Sequence, residues 1–308
     1  MGIYGHRFDI SLDEFMLKEG AFLDNLPDIS PEIINKFCVQ ETLTEAYMDQ
    51  VLTESVNTSQ YLGKILVRMN ISASKYMSLM NKAIKDIATT VKTKGVNKES
   101  REKIRSIINK LWVDLGDALP DTTDLIKDYG NSGLLVKFAD LDQNKVTKSM
   151  ILVLFSATVV GIVLPVLTIL FGPTGTGIGA TIMGPLLEEN CKQIAIKGDF
   201  VKEYTIVFNT FEFSQYVLQI VGAGGPLGAA IKVRLLAVGM HLTTTLIQWL
   251  TNNPKVLEKL HIDGEDDKNK ASIVGHTIGM IIHGVWNGLA SFSQTFNNYL
   301  MKACGFIS

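Results

Sequence analysis

Two hydrophobic patterns divide the chain. Up to about residue 148 apolar residues recur every three or four positions, and after it long apolar runs alternate with short polar or glycine-rich breaks. The first pattern predicts amphipathic helices. Leu79, Met80, Ala83, Ile84, Ile87, Ala88 and Val91 form one helical stripe, and Ile104, Ile107, Ile108, Leu111, Trp112 and Leu115 form a second. Two such stripes bury one another in a small bundle. Asn97 is placed to cap the second helix, and Pro120 with Asp121 ends it. Ser30-Pro31 reads as an N-cap followed by proline in the first turn. Ser11-Leu-Asp-Glu14 reads as a capping box. Residues 121–148 read as a connector.

The second pattern predicts membrane-crossing helices. Residues 149–171 carry no charge and are long enough to cross a hydrocarbon core of about 30 Å. Pro165 is expected to kink this segment. Gly172-Pro-Thr-Gly-Thr-Gly177 predicts a short turn, and no Lys-Ser/Thr follows to make it a phosphate loop. Further spans are expected at 178–196, 204–221, 231–250 and 271–292. A turn at 222–226 and a polar stretch at 251–270 separate them. Gly275/Gly279 and Gly284/Gly288 have the small-xxx-small spacing that lets helices approach closely. The expected fold is all-α: a polytopic membrane helical bundle of about five spans over 149–308, with a soluble helical domain over 1–148.

Composition supports this division. The 308 residues are 46% hydrophobic and 19% charged, with a mean hydropathy of +0.20, and charge is sparse beyond Lys148 apart from a run at 263–270. A net charge of -2 gives no electrostatic case for a nucleic-acid partner. Cys38, Cys191 and Cys304 make neither a disulfide framework nor a zinc pattern. The first fifteen residues lack the apolar core of a signal peptide, and the myristoylation pattern after Gly2 is incomplete, with no Ser or Thr at its sixth position. Lysines 145, 148, 197, 202, 255, 259, 268 and 270 fall at one end of the five spans. The positive-inside rule makes that end cytoplasmic, together with residues 1–148. Lys232 and Arg234 fall at the opposite end.

Polar residues inside the spans carry the chemistry. Gly184-Pro-Leu-Leu-Glu-Glu-Asn-Cys-Lys192 places two carboxylates and an ammonium in an apolar run. Each ionised group near a bilayer centre costs about 2.5–3.5 kcal/mol or more, so these need partners or a task. At about 1.5 Å per residue, Glu189, Glu212, His241 and His283 stand roughly 12–21 Å from the lysines at the cytoplasmic end of their spans. They can therefore share one layer. Glu188 and Lys192 are i,i+4 neighbours, with Glu189 pointing about 100° away, so Lys192 is expected to neutralise one carboxylate and leave the other for a different partner. His283 and Asn287 share a face. A desolvated carboxylate can act as a general base, with His and Asn as oxyanion donors. Alternatively Glu and His bind a metal that activates water. An ion or proton path and simple ties between helices use the same residues. His276 serves equally as a helix–helix hydrogen bonder. His6 and His261 read as solvated, Trp249 as an interface anchor and Trp286 as a packing residue.

The order of these motifs resembles the PrsW-type intramembrane proteases, relatives of the CAAX-processing and bacteriocin-processing (CPBP) membrane proteases. The first motif, EExxK, corresponds to Glu188-Glu-Asn-Cys-Lys192, and the second, FxxxE, to Phe208-Asn-Thr-Phe-Glu212. An arginine and a histidine in one span correspond to Arg234 and His241. The last motif, HxxxN, corresponds to His283-Gly-Val-Trp-Asn287. The resemblance covers about residues 149–295. It implies an intramembrane endopeptidase acting on membrane proteins or peptides in the lipid bilayer. Its catalytic residues would be Glu188, Glu189, Glu212, His241, His283 and Asn287, supported by Lys192, Phe208 and Arg234. Glutamate-activated water without a cofactor is the preferred chemistry. The metal-dependent alternative would place an ion such as zinc on Glu189, Glu212, His241 and His283.

Overall fold

The computed structural model describes residues 27–37, 73–116 and 141–306, and the capping box at Ser11, His6, Pro120 and most of the 121–148 connector lie outside them. Among the described residues every regular element is helical, apart from one isolated bridge between Ile29 and Val96. The helices are α1 (Pro31–Phe37), α2 (Ala73–Lys94), α3 (Lys98–Gly116), α4 (Gln143–Ile178), α5 (Gly184–Lys197), α6 (Val201–Gly222), α7 (Leu227–Leu250), α8 (Pro254–Lys259), α9 (Glu265–Phe292) and α10 (Gln294–Cys304). A π-helical segment, Gly179–Met183, joins α4 to α5. The all-α expectation therefore holds.

The described residues form two compact units. One holds α1 to α3 together with Gly161–Thr176, and the other holds 141–160 together with the described residues from Gly177 on. The 148/149 boundary thus falls inside α4, and apolar residues beyond it group with the N-terminal helices.

In the first unit the predicted stripes meet. Met80, Ala83, Ile84, Ile87, Ala88 and Val91 of α2 are buried, as are Ile104 and Leu111 of α3. Gly161 lies against the end of the Met80 side chain. Asn97 Oδ1 accepts from Ser100 N at 2.9 Å, and Ser100 Oγ accepts from Asn97 N at 2.8 Å, a reciprocal cap that starts α3. Ser30 Oγ accepts weakly from Ile33 N at 3.4 Å, ahead of Pro31. Truncating a cap of this kind costs about 0.5–2 kcal/mol. Asn97→Ala is expected to lose that much in thermal unfolding followed on α2 and α3; no loss would mean the cap is idle.

The predicted turn at residue 172 is a reversal. Gly172 adopts φ 59° and ψ −145° inside α4, a region most side chains avoid. Residues eight apart in a continuous helix are about 12 Å apart. Here a Cβ on Gly175 would sit 1.9 Å from the Leu167 carbonyl oxygen, and the Thr168 and Thr176 hydroxyls are 2.8 Å apart.

The second unit packs α5, α6, α7 and α9 around buried polar groups. The ends of these helices lie close to the predicted span limits. Two stretches are long and apolar enough to cross a membrane: Asn144–Lys197, of 54 residues, and Leu227–Leu250, of 24. Trp249 is exposed, and Trp286 packs edge-on against Phe296 with ring centroids 5.9 Å apart.

Candidate functional site

The site is built on α5, whose register follows from the π segment. Gly184 N donates to Gly179 O across this wider turn. Such bulges leave carbonyls free and recur at functional sites. Ala180 O takes its hydrogen bond from Asn287 Nδ2 of α9 at 3.0 Å. Gly284 makes the approach possible, since a Cβ there would lie 2.6 Å from Thr181 O. Overpacking against immobile backbone costs about 1–3 kcal/mol, so Gly284→Ala is expected to lower thermal stability by that much. Gly239→Ala, with nothing within 4 Å of its Cβ, is expected to be neutral or slightly stabilising. Equal effects in melting experiments would contradict the packing.

Glu189 and Lys192 form the core of the site, each fully buried. Lys192 Nζ donates to Glu189 Oε1 at 2.6 Å and to Thr244 Oγ1 at 2.6 Å, and stands 3.5 Å from His241 Nδ1. Glu189 Oε2 accepts from Gln248 Nε2. Glu189 Oε1 also lies 2.8 Å from His283 Nδ1. The i,i+4 pairing of Lys192 with Glu188 expected from spacing is therefore replaced by an i,i+3 pair with Glu189. A buried charge pair is tolerated when further hydrogen bonds satisfy its remaining atoms, and Thr244 and Gln248 supply them.

Glu188 and Glu212 face the other way. Their side chains are 18% and 16% exposed, whereas Glu189 is at 0%. Glu212 Oε2 lies 2.8 Å from His241 Nε2 and 2.9 Å from Arg234 Nη2. Glu188 Oε2 lies 3.5 Å from His283 Nε2. Glu188 Oε2 is buried without a hydrogen-bond partner. Arg234 also covers the Tyr216 ring, 4.1 Å from its centroid, a cation–π contact. It is thus engaged within the site.

The histidines complete the cluster. Their rings are nearly perpendicular, with centroids 4.8 Å apart. Phe208 meets His241 edge-on at 5.1 Å and stacks on Tyr204 at 5.6 Å. Tyr204, Phe208 and Glu212 are each one turn apart on α6, so this face delivers both the ring against His241 and the carboxylate beside it. The structure brings together Glu188, Glu189, Lys192, Phe208, Glu212, Arg234, His241 and His283. It places Asn287 on the π segment instead. His261 is exposed, and His276 Nδ1 is buried without a hydrogen-bond partner. Sequence reading missed Thr244, Gln248 and Tyr204. The first two follow His241 at i+3 and i+7, a single helical face, and that spacing is the signal that finds them.

Glu188, His241 and His283 each present one ligand atom, all within 4.8 Å of one another, and by distance could hold a metal ion. Glu189 and Glu212 of the expected ligand set are not among them: the Glu189 oxygens are engaged by Lys192, Gln248 and His283, and Glu212 lies against Arg234 and His241. Comparison with known protein families, curated proteins and solved structures finds no match.

Proposed function

We propose that residues 149–308 form an intramembrane endopeptidase that hydrolyses membrane proteins or peptides with water activated by Glu188. The single observation that supports this best is Glu188 Oε2, a buried carboxylate oxygen that faces His283 Nε2 at 3.5 Å without a hydrogen bond. Buried polar atoms are rarely left unpaired, so Glu188 Oε2 is the oxygen left for a water or a substrate group. Glu188 takes a proton from water, and the hydroxide oxygen bonds to the scissile carbonyl carbon. The protonated Glu188 then gives the proton to the departing amine as the C–N bond breaks. Arg234 and His241 hold Glu212 beside the reacting atoms. Motif order, the PrsW-type resemblance and this geometry point the same way.

The membrane setting has its own support. The 54-residue apolar stretch is about 80 Å long if helical throughout, far beyond a hydrocarbon core of about 30 Å. Its reversal at Gly172 suits two passes. Leu235, Leu242 and Leu246 on α7, with Ile273, Ile281 and Val285 on α9, are exposed, and apolar surface of that extent marks an interaction face, here the lipid bilayer. Five crossings, with the lysine-bearing connections cytoplasmic, follow from adding α6 and α9.

The test is reconstitution into lipid vesicles with a pool of single-span peptides. Cleavage fragments seen by mass spectrometry are expected. Proton or ion flux without fragments would replace the protease reading with a transporter.

A further inference from the structure

The buried Lys192–Glu189 pair touches both histidines at the same ring atom, with opposite charge. Lys192 Nζ stands 3.5 Å from Nδ1 of His241, and Glu189 Oε1 stands 2.8 Å from Nδ1 of His283. An ammonium carries donors and no acceptor, while a carboxylate only accepts. The nitrogen facing Lys192 therefore presents its lone pair, and the nitrogen facing Glu189 carries the proton. The far side of each ring agrees. His241 Nε2 lies 2.8 Å from Glu212 Oε2, an acceptor that wants a proton there. His283 Nε2 is 3.5 Å from Glu188 Oε2, beyond the usual N–H···O distance, so no proton is required there.

We infer that the Lys192–Glu189 pair is a positioning device that holds the two histidines in opposite tautomers. His241 is protonated on Nε2 and offers that proton to Glu212, whereas His283 is protonated on Nδ1 and turns a bare Nε2 toward Glu188. The inference rests on the hydrolase reading and deepens it. The bare Nε2 orients the attacking water next to Glu188, and His241 is a fixed donor that keeps Glu212 in place. Thr244 belongs to the same device, because it takes the second proton of Lys192 at 2.6 Å. A metal on the Glu188–His241–His283 triangle does not suit this arrangement. Ligation through His241 Nε2 would push its proton to Nδ1 and aim an N–H at an ammonium, whereas metal-bound histidines donate that proton to an acceptor.

The test is ring-nitrogen NMR of the full chain in detergent micelles, labelled on histidine and assigned with His241→Gln and His283→Gln. The expected result is Nε2–H on His241 and Nδ1–H on His283. Lys192→Met is expected to release His241 into a tautomer mixture. Lys192→Arg, which keeps the charge, should preserve the assignment. An Nδ1–H signal on His241 in the unmodified protein overturns the inference. So does a zinc titration that shifts the His241 and His283 signals together, a readout that stands even if Lys192→Met does not fold. Cleavage with reversed tautomers would overturn this inference alone, and the expected tautomers without cleavage would overturn the hydrolase reading alone.

Discussion

Glu188→Gln is expected to lower turnover of a membrane peptide by about 10²–10⁴-fold, the range for loss of a positioned general base, with little change in thermal stability. The two halves of this expectation come from one geometric fact. Glu188 is partly exposed and carries an oxygen without a hydrogen bond, so the amide can occupy its place without breaking a network. An amide cannot take a proton from water. Rates measured in vesicles, with melting in micelles as the control, check both halves. Unchanged turnover would remove Glu188 from the chemistry.

The second large effect concerns stability. Removing one member of a buried ion pair costs about 3–5 kcal/mol, because the other is left as an uncompensated charge. Lys192→Met is expected to fall in that range, since Glu189 is at 0% exposure and keeps only the neutral donors Gln248 and Thr244 and the His283 ring. Glu189→Gln strands the ammonium and is expected to cost a similar amount. The double variant removes both charges, so its cost should fall short of the sum by about 1–3 kcal/mol, the usual coupling of residues in one network. Denaturation of the three variants in micelles measures this cycle. Additive costs would mean that the two side chains do not act as a pair.

The helices were legible because their signals are local. The stripes at Met80–Val91 and Ile104–Leu111, the cap at Asn97 and the break at Gly172 each depend on residues within a turn or two. The clustering of Glu212, His241 and His283 could be anticipated from depth alone, because polar groups in apolar helices seek one another. Other features depend on partners distant in sequence. Spacing allows Lys192 to reach either Glu188 or Glu189, as i,i+4 or i,i+3 neighbours. The choice falls to Glu189 where Gln248, Thr244 and His283 already satisfy its oxygens. The π segment has no local signature beyond Gly179 and Gly184, and its role is set by Asn287 reaching Ala180 O from α9. The resemblance marks Arg234 as supporting the site, but its contacts with Tyr216 and Glu212 arise only because α6 and α7 pack together.

The proposed peptide-bond hydrolysis, at a site shared by α5, α6, α7 and α9, is tested most directly by cleavage in water enriched in heavy oxygen. The unmodified protein, reconstituted with single-span peptides, should yield fragments whose new carboxyl terminus carries one heavy oxygen, and Glu188→Gln should yield almost none. Unlabelled fragments, equal cleavage by the variant, or no fragments from the unmodified protein would contradict it.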